Sequence, residues 1–138
     1  MSAGYSKTPL IKKIGIKPGH QVALVHAPDH YLDLLGELPA DVVISMALGP
    51  DVEKYDVVHA FYVQRSNYES EFSSLKSAIR KNGMVWISWY KKAAKIPTDI
   101  TEDVVRDVAL AGGLVDVKVA AVDQEWSGLK LMYRKEDR

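Results

Sequence analysis

The side chains in this chain that could do chemistry gather at a few short, turn-like stretches. His26 and His30 stand four residues apart with Asp29 between them. That spacing suits one face of a helix, and two imidazoles so placed could ligate a metal ion. Here the pair straddles the end of an apolar run and Pro28. A catalytic metal would also need a third ligand, for which Asp29 and Asp51 are the nearest carboxylates in sequence. Two histidines on a surface loop is the simpler reading, and no metal is expected. Lys91, Lys92 and Lys95 precede a helix start near Thr98-Asp99. Lysines before a helix N-terminus can seat an anion. The favoured alternative is a solvated loop whose lysines pair with Asp123 and Glu125, because exposed charges do little beyond solubility. Trp89 and Trp126 could stack on a planar ligand or a partner's side chain, or could pack over a sheet edge. Trp86 lies inside an apolar run and reads as core. Ser45, Ser66, Ser88 and Ser127 lack a Gly-x-Ser-x-Gly elbow, and the chain has neither a phosphate loop nor Gly-x-Gly-x-x-Gly.

Composition narrows the setting. The 138 residues suit one domain, with residues 8–138 as the folded unit and 1–7 as a loose tail. Eighteen Lys+Arg balance eighteen Asp+Glu, so a general electrostatic hold on nucleic acid or a membrane is not expected. With no cysteine, disulfides, thiolate chemistry and Cys-based zinc sites are excluded. No signal peptide or membrane-length apolar run is read, and a cytoplasmic protein is expected.

The hydropathy pattern then supplies the elements that must position these residues. Thr8-Pro9 starts a short helix with Leu10, Ile11 and Ile14 on one face, closed by Gly15. Val22 to Val25 is a continuous apolar run, as in a strand buried on both faces. Asp29 caps a brief helix that Gly36 stops. Residues 41–47 and 55–63 read as two more buried strands. Residues 67–81 form the best helix, with a Ser66/Glu69 capping box, an apolar stripe of Tyr68, Phe72, Leu75 and Ile79, and an Asn82-Gly83 stop. A strand over 84–89 follows, then a helix capped by Asp99 with Glu102 and closed by Gly112-Gly113. Period-two alternation over 115–121 and 129–134 predicts a hairpin. Helices between buried strands imply a mostly parallel sheet. About seven residues join the second and third strands, fewer than a parallel crossover normally needs, so that link runs extended or the second strand is irregular or antiparallel.

Ile16 to Val22 resembles the lead-in to the first strand of class I methyltransferases, and Tyr55-Asp56-Val57-Val58 resembles their fourth strand. Leu75 to Trp86 and the C-terminal helix and hairpin are similar to the later parts of that fold. A closer resemblance is to an uncharacterised bacterial family of unknown function, number 3052. It is carried by Gly4-Tyr5-Ser6, Thr8-Pro9-Leu10, Ile16-Lys17-Pro18-Gly19, Thr98-Asp99, Gly113 to Val119 and Trp126 to Leu129. The resemblance implies a single-domain, three-layer, Rossmann-like α/β sandwich, mostly parallel with a C-terminal antiparallel hairpin. It brings no established activity.

The departures bear on function. The methyltransferase cofactor loop is glycine-rich so that main chain can approach S-adenosylmethionine. Here it reads His26-Ala27-Pro28-Asp29-His30. The second strand ends without the expected acid, and the third strand of the full fold and its helix are missing. In open parallel sheets, ligands sit outside the carboxyl ends of the strands. That edge would collect His26, Asp29, His30, Arg65, Trp89, Lys91 and Lys92, with Asp123, Glu125 and Trp126 joining if the penultimate strand is parallel to its neighbours. The expected function is a non-catalytic module binding a small molecule or a protein, with no cofactor. The alternatives are a divergent S-adenosylmethionine-dependent methyltransferase, a small anion-handling enzyme on His26, Asp29, Lys91 and Lys92, or a homodimer joined through an edge strand.

Overall fold

The computed structural model describes residues 8–138; the expected tail at 1–7 lies outside them. Six strands form one sheet in the order β2-β1-β3-β4-β6-β5. They are β1 (Gln21–Val25), β2 (Val43–Ser45), β3 (Tyr55–Phe61), β4 (Ile79–Tyr90), β5 (Leu114–Ala121) and β6 (Trp126–Tyr133). β2, β1, β3 and β4 run parallel, and β6 pairs antiparallel with both β4 and β5. β5 is therefore parallel to β4, and the β5–β6 turn opens at the carboxyl edge with the ends of β1, β3 and β4. α1 (Leu10–Ile14) and α2 (Tyr31–Leu35) cover one face, while α3 (Arg65–Ala78) and α4 (Glu102–Ala111) cover the other. This is the three-layer architecture expected.

Strand alternation divides the core. Val58, Ala60, Val85, Ile87 and Leu129 point towards α3 and α4, whereas Val57, Phe61, Trp86 and Trp126 point towards α1 and α2. Polar anchors tie the layers together. Trp86 Nε1 donates to the Ile14 carbonyl (2.9 Å), and the Tyr68 hydroxyl donates to the Val105 carbonyl (2.9 Å). Gly112 admits the Phe72 ring, because a Cβ there would lie 2.3 Å from Phe72 Cε2.

Several local expectations are corrected. α3 starts at Arg65, and Ser66 and Glu69 form no capping box. Its N-terminus is capped from outside, by Asp99 Oδ1 accepting from the Arg65 N–H (2.6 Å). Asp99 is thus taken from α4, whose cap is Thr101, with Oγ1 accepting from the Val104 N–H (3.2 Å). α2 is capped by His30 in place of Asp29, with no side-chain bond. Pro9 stands at the α1 cap position, and no side chain closes it. Asn82-Gly83 ends no helix and lies inside β4. The β3–β4 register shifts there, and a Cβ on Gly83 would lie 3.0 Å from the carbonyl oxygens of Tyr55 and Asp56. Gly83 answers close backbone approach.

β2 is a three-residue edge strand whose residues are exposed or half-buried, in place of the longer buried strand expected. It is parallel to β1. Nine residues, 46–54, then carry the chain past β1 to β3. Their extended reach of roughly 30 Å spans two strand spacings of about 4.8 Å and the return beside a short strand without a helix. The link leans on α3, with Glu53 and Lys54 donating to the carbonyls of Ser77 (2.8 Å) and Ala78 (2.9 Å). No helix among the described residues is long and apolar enough to cross a membrane.

Candidate functional site

The carboxyl edge brings the expected residues into three separate neighbourhoods. The first lies where β1 ends. β1 is apolar and buried from Val22 to Val25, and the chain must then turn sharply towards α2. His26 makes that turn with φ +56°, a left-handed conformation that costs energy for a side chain with a Cβ. Its imidazole Nε2 lies 3.0 Å from Glu71 Oε1 on α3. The Tyr62 hydroxyl donates to the same oxygen (2.7 Å), and its ring meets His26 edge-on at 5.5 Å. Burial first, then the Glu71 bond and charge, push the Tyr62 hydroxyl pKa up, so the phenol is a committed donor. With Nε2 turned to a carboxylate, Nδ1 is left as the ring's second polar atom.

Beside this triad opens a cleft of about 550 Å³. Val25, Met46, Leu48 and Pro50 give it apolar walls, and Ser74 and Ser77 line it from α3. Its charged lining is Glu71 and Asp51, with His26 at the strand end, and neither lysine nor arginine contributes. Met46 and Val52, 64% and 66% exposed, flank its mouth. The link that replaces a helical crossover is therefore one wall of the cleft.

The second neighbourhood joins the β1–α2 loop to the β5–β6 turn. His30 Nε2 lies 2.8 Å from Asp123 Oδ2. Asp123 is buried, and its Oδ1 accepts from the N–H groups of Glu125 and Trp126 (both 2.8 Å). Trp126 is buried too, stacked on Tyr90 (3.9 Å between centroids) and edge-on to Phe61 (5.1 Å). The Lys91 N–H donates to the Glu125 carbonyl (2.8 Å). These contacts make Asp123 and Trp126 the structural centre of the turn. Asp29 is exposed beside them, and Glu125 is exposed at the turn's tip.

The third lies towards α4. Trp89 is buried on the α3/α4 face, so the two tryptophans read as a pair in sequence sit on opposite sides of the sheet. Lys91 and Lys92 share a groove with Glu102 and Asp103, which occupy the first turn of α4 and bond to Arg106. The helix begins later than expected, and acids already fill its N-terminus. Arg65, also expected at this edge, pairs with Glu69 along α3 (3.4 Å). His26 and His30 turn to different carboxylates. No group of three or more His, Asp or Glu among the described residues is placed to hold a metal ion.

Sequence reasoning did not single out Glu71 or Tyr62. Glu71 sits on the stripe between Tyr68 and Phe72 but meets a histidine 45 positions away, and no local spacing announces that. A buried polar chain was also missed. The Tyr31 hydroxyl lies 2.6 Å from His59 Nδ1, and His59 Nε2 lies 2.7 Å from Ser88 Oγ. Burial lowers the His59 pKa to about 3, so the neutral ring accepts from one hydroxyl and donates to the other. A lone histidine and a lone serine in two apolar strands were the available signal, since buried polar groups require partners.

No protein-family model matches the sequence, and a search of curated proteins returns no relative. Solved structures do match. A protein from Bordetella parapertussis, named a possible exported protein, aligns with TM-score 0.65 and 10% identity over 90% of this chain, which spans 65% of that protein's length. An S-adenosylmethionine-dependent methyltransferase from Aquifex aeolicus aligns with TM-score 0.61 and 16% identity, covering 91% of this chain and 88% of that one. The Burkholderia thailandensis 1,6-didemethyltoxoflavin-N1-methyltransferase, solved with S-adenosylhomocysteine bound, aligns with TM-score 0.64 and 11% identity over 92% and 77%. At these identities the likeness shows the fold: the chain has a methyltransferase-like α/β architecture.

Proposed function

We propose that the domain is a non-catalytic binding module that takes a small, partly apolar molecule in the cleft beside His26. The observation that carries this is the imidazole held on Glu71 at the turn after β1, against an opening of about 550 Å³. A methyl donor's amino-acid tail would need bare main chain there. This turn presents a ring and, at Pro28, a nitrogen with no hydrogen. A cleft whose charged groups include two carboxylates, and which lacks lysine and arginine, favours an ammonium or another donor over a phosphate or carboxylate. The apolar walls favour a hydrocarbon or aromatic body. The block residues Gly113 to Val119 and Trp126 to Leu129 support kinship with family 3052, and the absence of cysteine fits a cytoplasmic setting.

One observation favours a second reading, a divergent methyltransferase: neighbours of the same fold have been solved with S-adenosylhomocysteine bound. Titrating tryptamine into the ¹⁵N-labelled protein tests the first reading. Tryptamine should shift the amides of Val25, His26, Glu71 and Ser74, and Glu71→Gln should weaken that binding at least fivefold. Unmoved cleft amides, or equal binding by the variant, would contradict it.

A further inference from the structure

On the opposite side of the sheet from the cleft, the face shared with α1 and α2, lysines crowd together. β5 and β6 place Lys118 directly opposite Lys130. Like charges facing each other across a ladder are destabilising. Neither lysine forms an ion pair among the described residues. Lys118 Nζ lies 5.9 Å from the centre of the Trp86 ring, whose indole is bonded to the end of α1. From α1, Lys13 reaches across and donates through Nζ to the Ala121 carbonyl (3.0 Å) at the end of β5. Three elements thus bring three ammonium groups to one stretch of sheet. Burial, then the charges of Lys91 and Lys118, lower the Lys13 pKa; burial, then Lys118, Lys17 and Arg138, lower that of Lys130.

A bulge keeps the nearest acid in the strand away. Strict alternation would put Asp116 on the same face as Lys118. Val117 is an extra residue in the ladder, so Asp116 pairs with Leu131 while Lys118 pairs with Lys130. Asp116 therefore faces α4, where it accepts from Arg106 Nε (3.0 Å). The fold maintains a cost in like-charge repulsion that an anion would relieve.

We propose that Lys13, Lys118 and Lys130, with Lys17 and Arg138 around them, form a binding site for a compact oligophosphate anion. Compactness follows from charge. With these five set aside, the chain carries thirteen cationic against eighteen acidic residues, so a long polyanion running off the patch would meet a net negative surface. The proposal does not depend on the cleft.

Calorimetric titration with sodium tripolyphosphate at low ionic strength tests it, with a Lys118→Gln/Lys130→Gln double variant alongside. The expected result is one anion per chain, an affinity that falls as salt rises, and at least tenfold weaker binding by the variant. Without anion, the variant should melt at or above the wild-type temperature, because the opposed charges are gone. In the wild type, the shifted amides should be those of Lys13, Lys118 and Lys130. Absence of saturable binding at low salt, equal affinity in the variant, or a variant that melts lower would overturn the proposal. So would a fluorescein-labelled DNA duplex that binds more tightly than tripolyphosphate.

Discussion

His59 is a fully buried imidazole held between two hydroxyls. Its folded pKa of about 3 lies below the value of about 6.5 expected in the unfolded chain. As pH falls, the unfolded chain takes up this proton first. The stability due to His59 is therefore complete above about pH 6.5 and is lost as pH falls towards 3, at up to ~1.4 kcal/mol per pH unit. Urea unfolding from pH 7 to pH 4 should show that decline, and the imidazole NMR signals should stay those of a neutral ring down to about pH 4. A His59 ring that titrates near pH 6 would refute the assignment. Asp123 makes a second prediction at this scale. Asp123→Ala orphans the buried N–H of Trp126 and frees the N–H of exposed Glu125 to water, and should cost about 1–3 kcal/mol. His30→Ala removes only a half-exposed partner and should cost less than about 1 kcal/mol. Trp126→Ala should cost about 3–5 kcal/mol in thermal unfolding, because the ring is buried against Tyr90 and Phe61. An unchanged melting temperature would return Trp126 to the role of an exposed ligand or partner contact.

Among the elements, α3 shows where local reading succeeds and where it stops. Tyr68, Phe72 and Leu75 are buried as their spacing predicts, because one helical face must meet the sheet. The cap differs from the local expectation because a carboxylate from the loop before α4 takes the place of the local serine. Asp99→Ala should therefore destabilise by about 1 kcal/mol, and Ser66→Ala should be close to neutral in chemical denaturation. If Ser66→Ala proved the costlier change, the cap would be local after all. Gly83 departs from its local signal for a related reason. Asn-Gly resembles a helix stop, but here the glycine makes room for the β3 backbone, a requirement set by the neighbouring strand. β2 was read as buried from its apolar residues, yet it is an edge strand, and hydropathy alone does not tell an edge from an interior position.

At the scale of the whole molecule, a mostly parallel sheet closed by a C-terminal hairpin is legible in the sequence, because alternating helices and buried strands leave few ways to build a sheet, whereas the strand order and the parallel pairing of β2 emerge only from the structure. The short link after the second strand is legible as a connection without a helix, and the structure makes it a cleft wall. The partners of His26 were not legible, since the Glu71 contact exists only once β1 and α3 lie side by side. His26 decides what the turn after β1 can hold. Isothermal titration of S-adenosylhomocysteine into the wild-type protein tests this most directly. The predicted result is no saturable heat at micromolar to submillimolar ligand. Saturable micromolar binding, with amide shifts centred on 26–31, would contradict the account and make the domain a cofactor-binding methyltransferase relative.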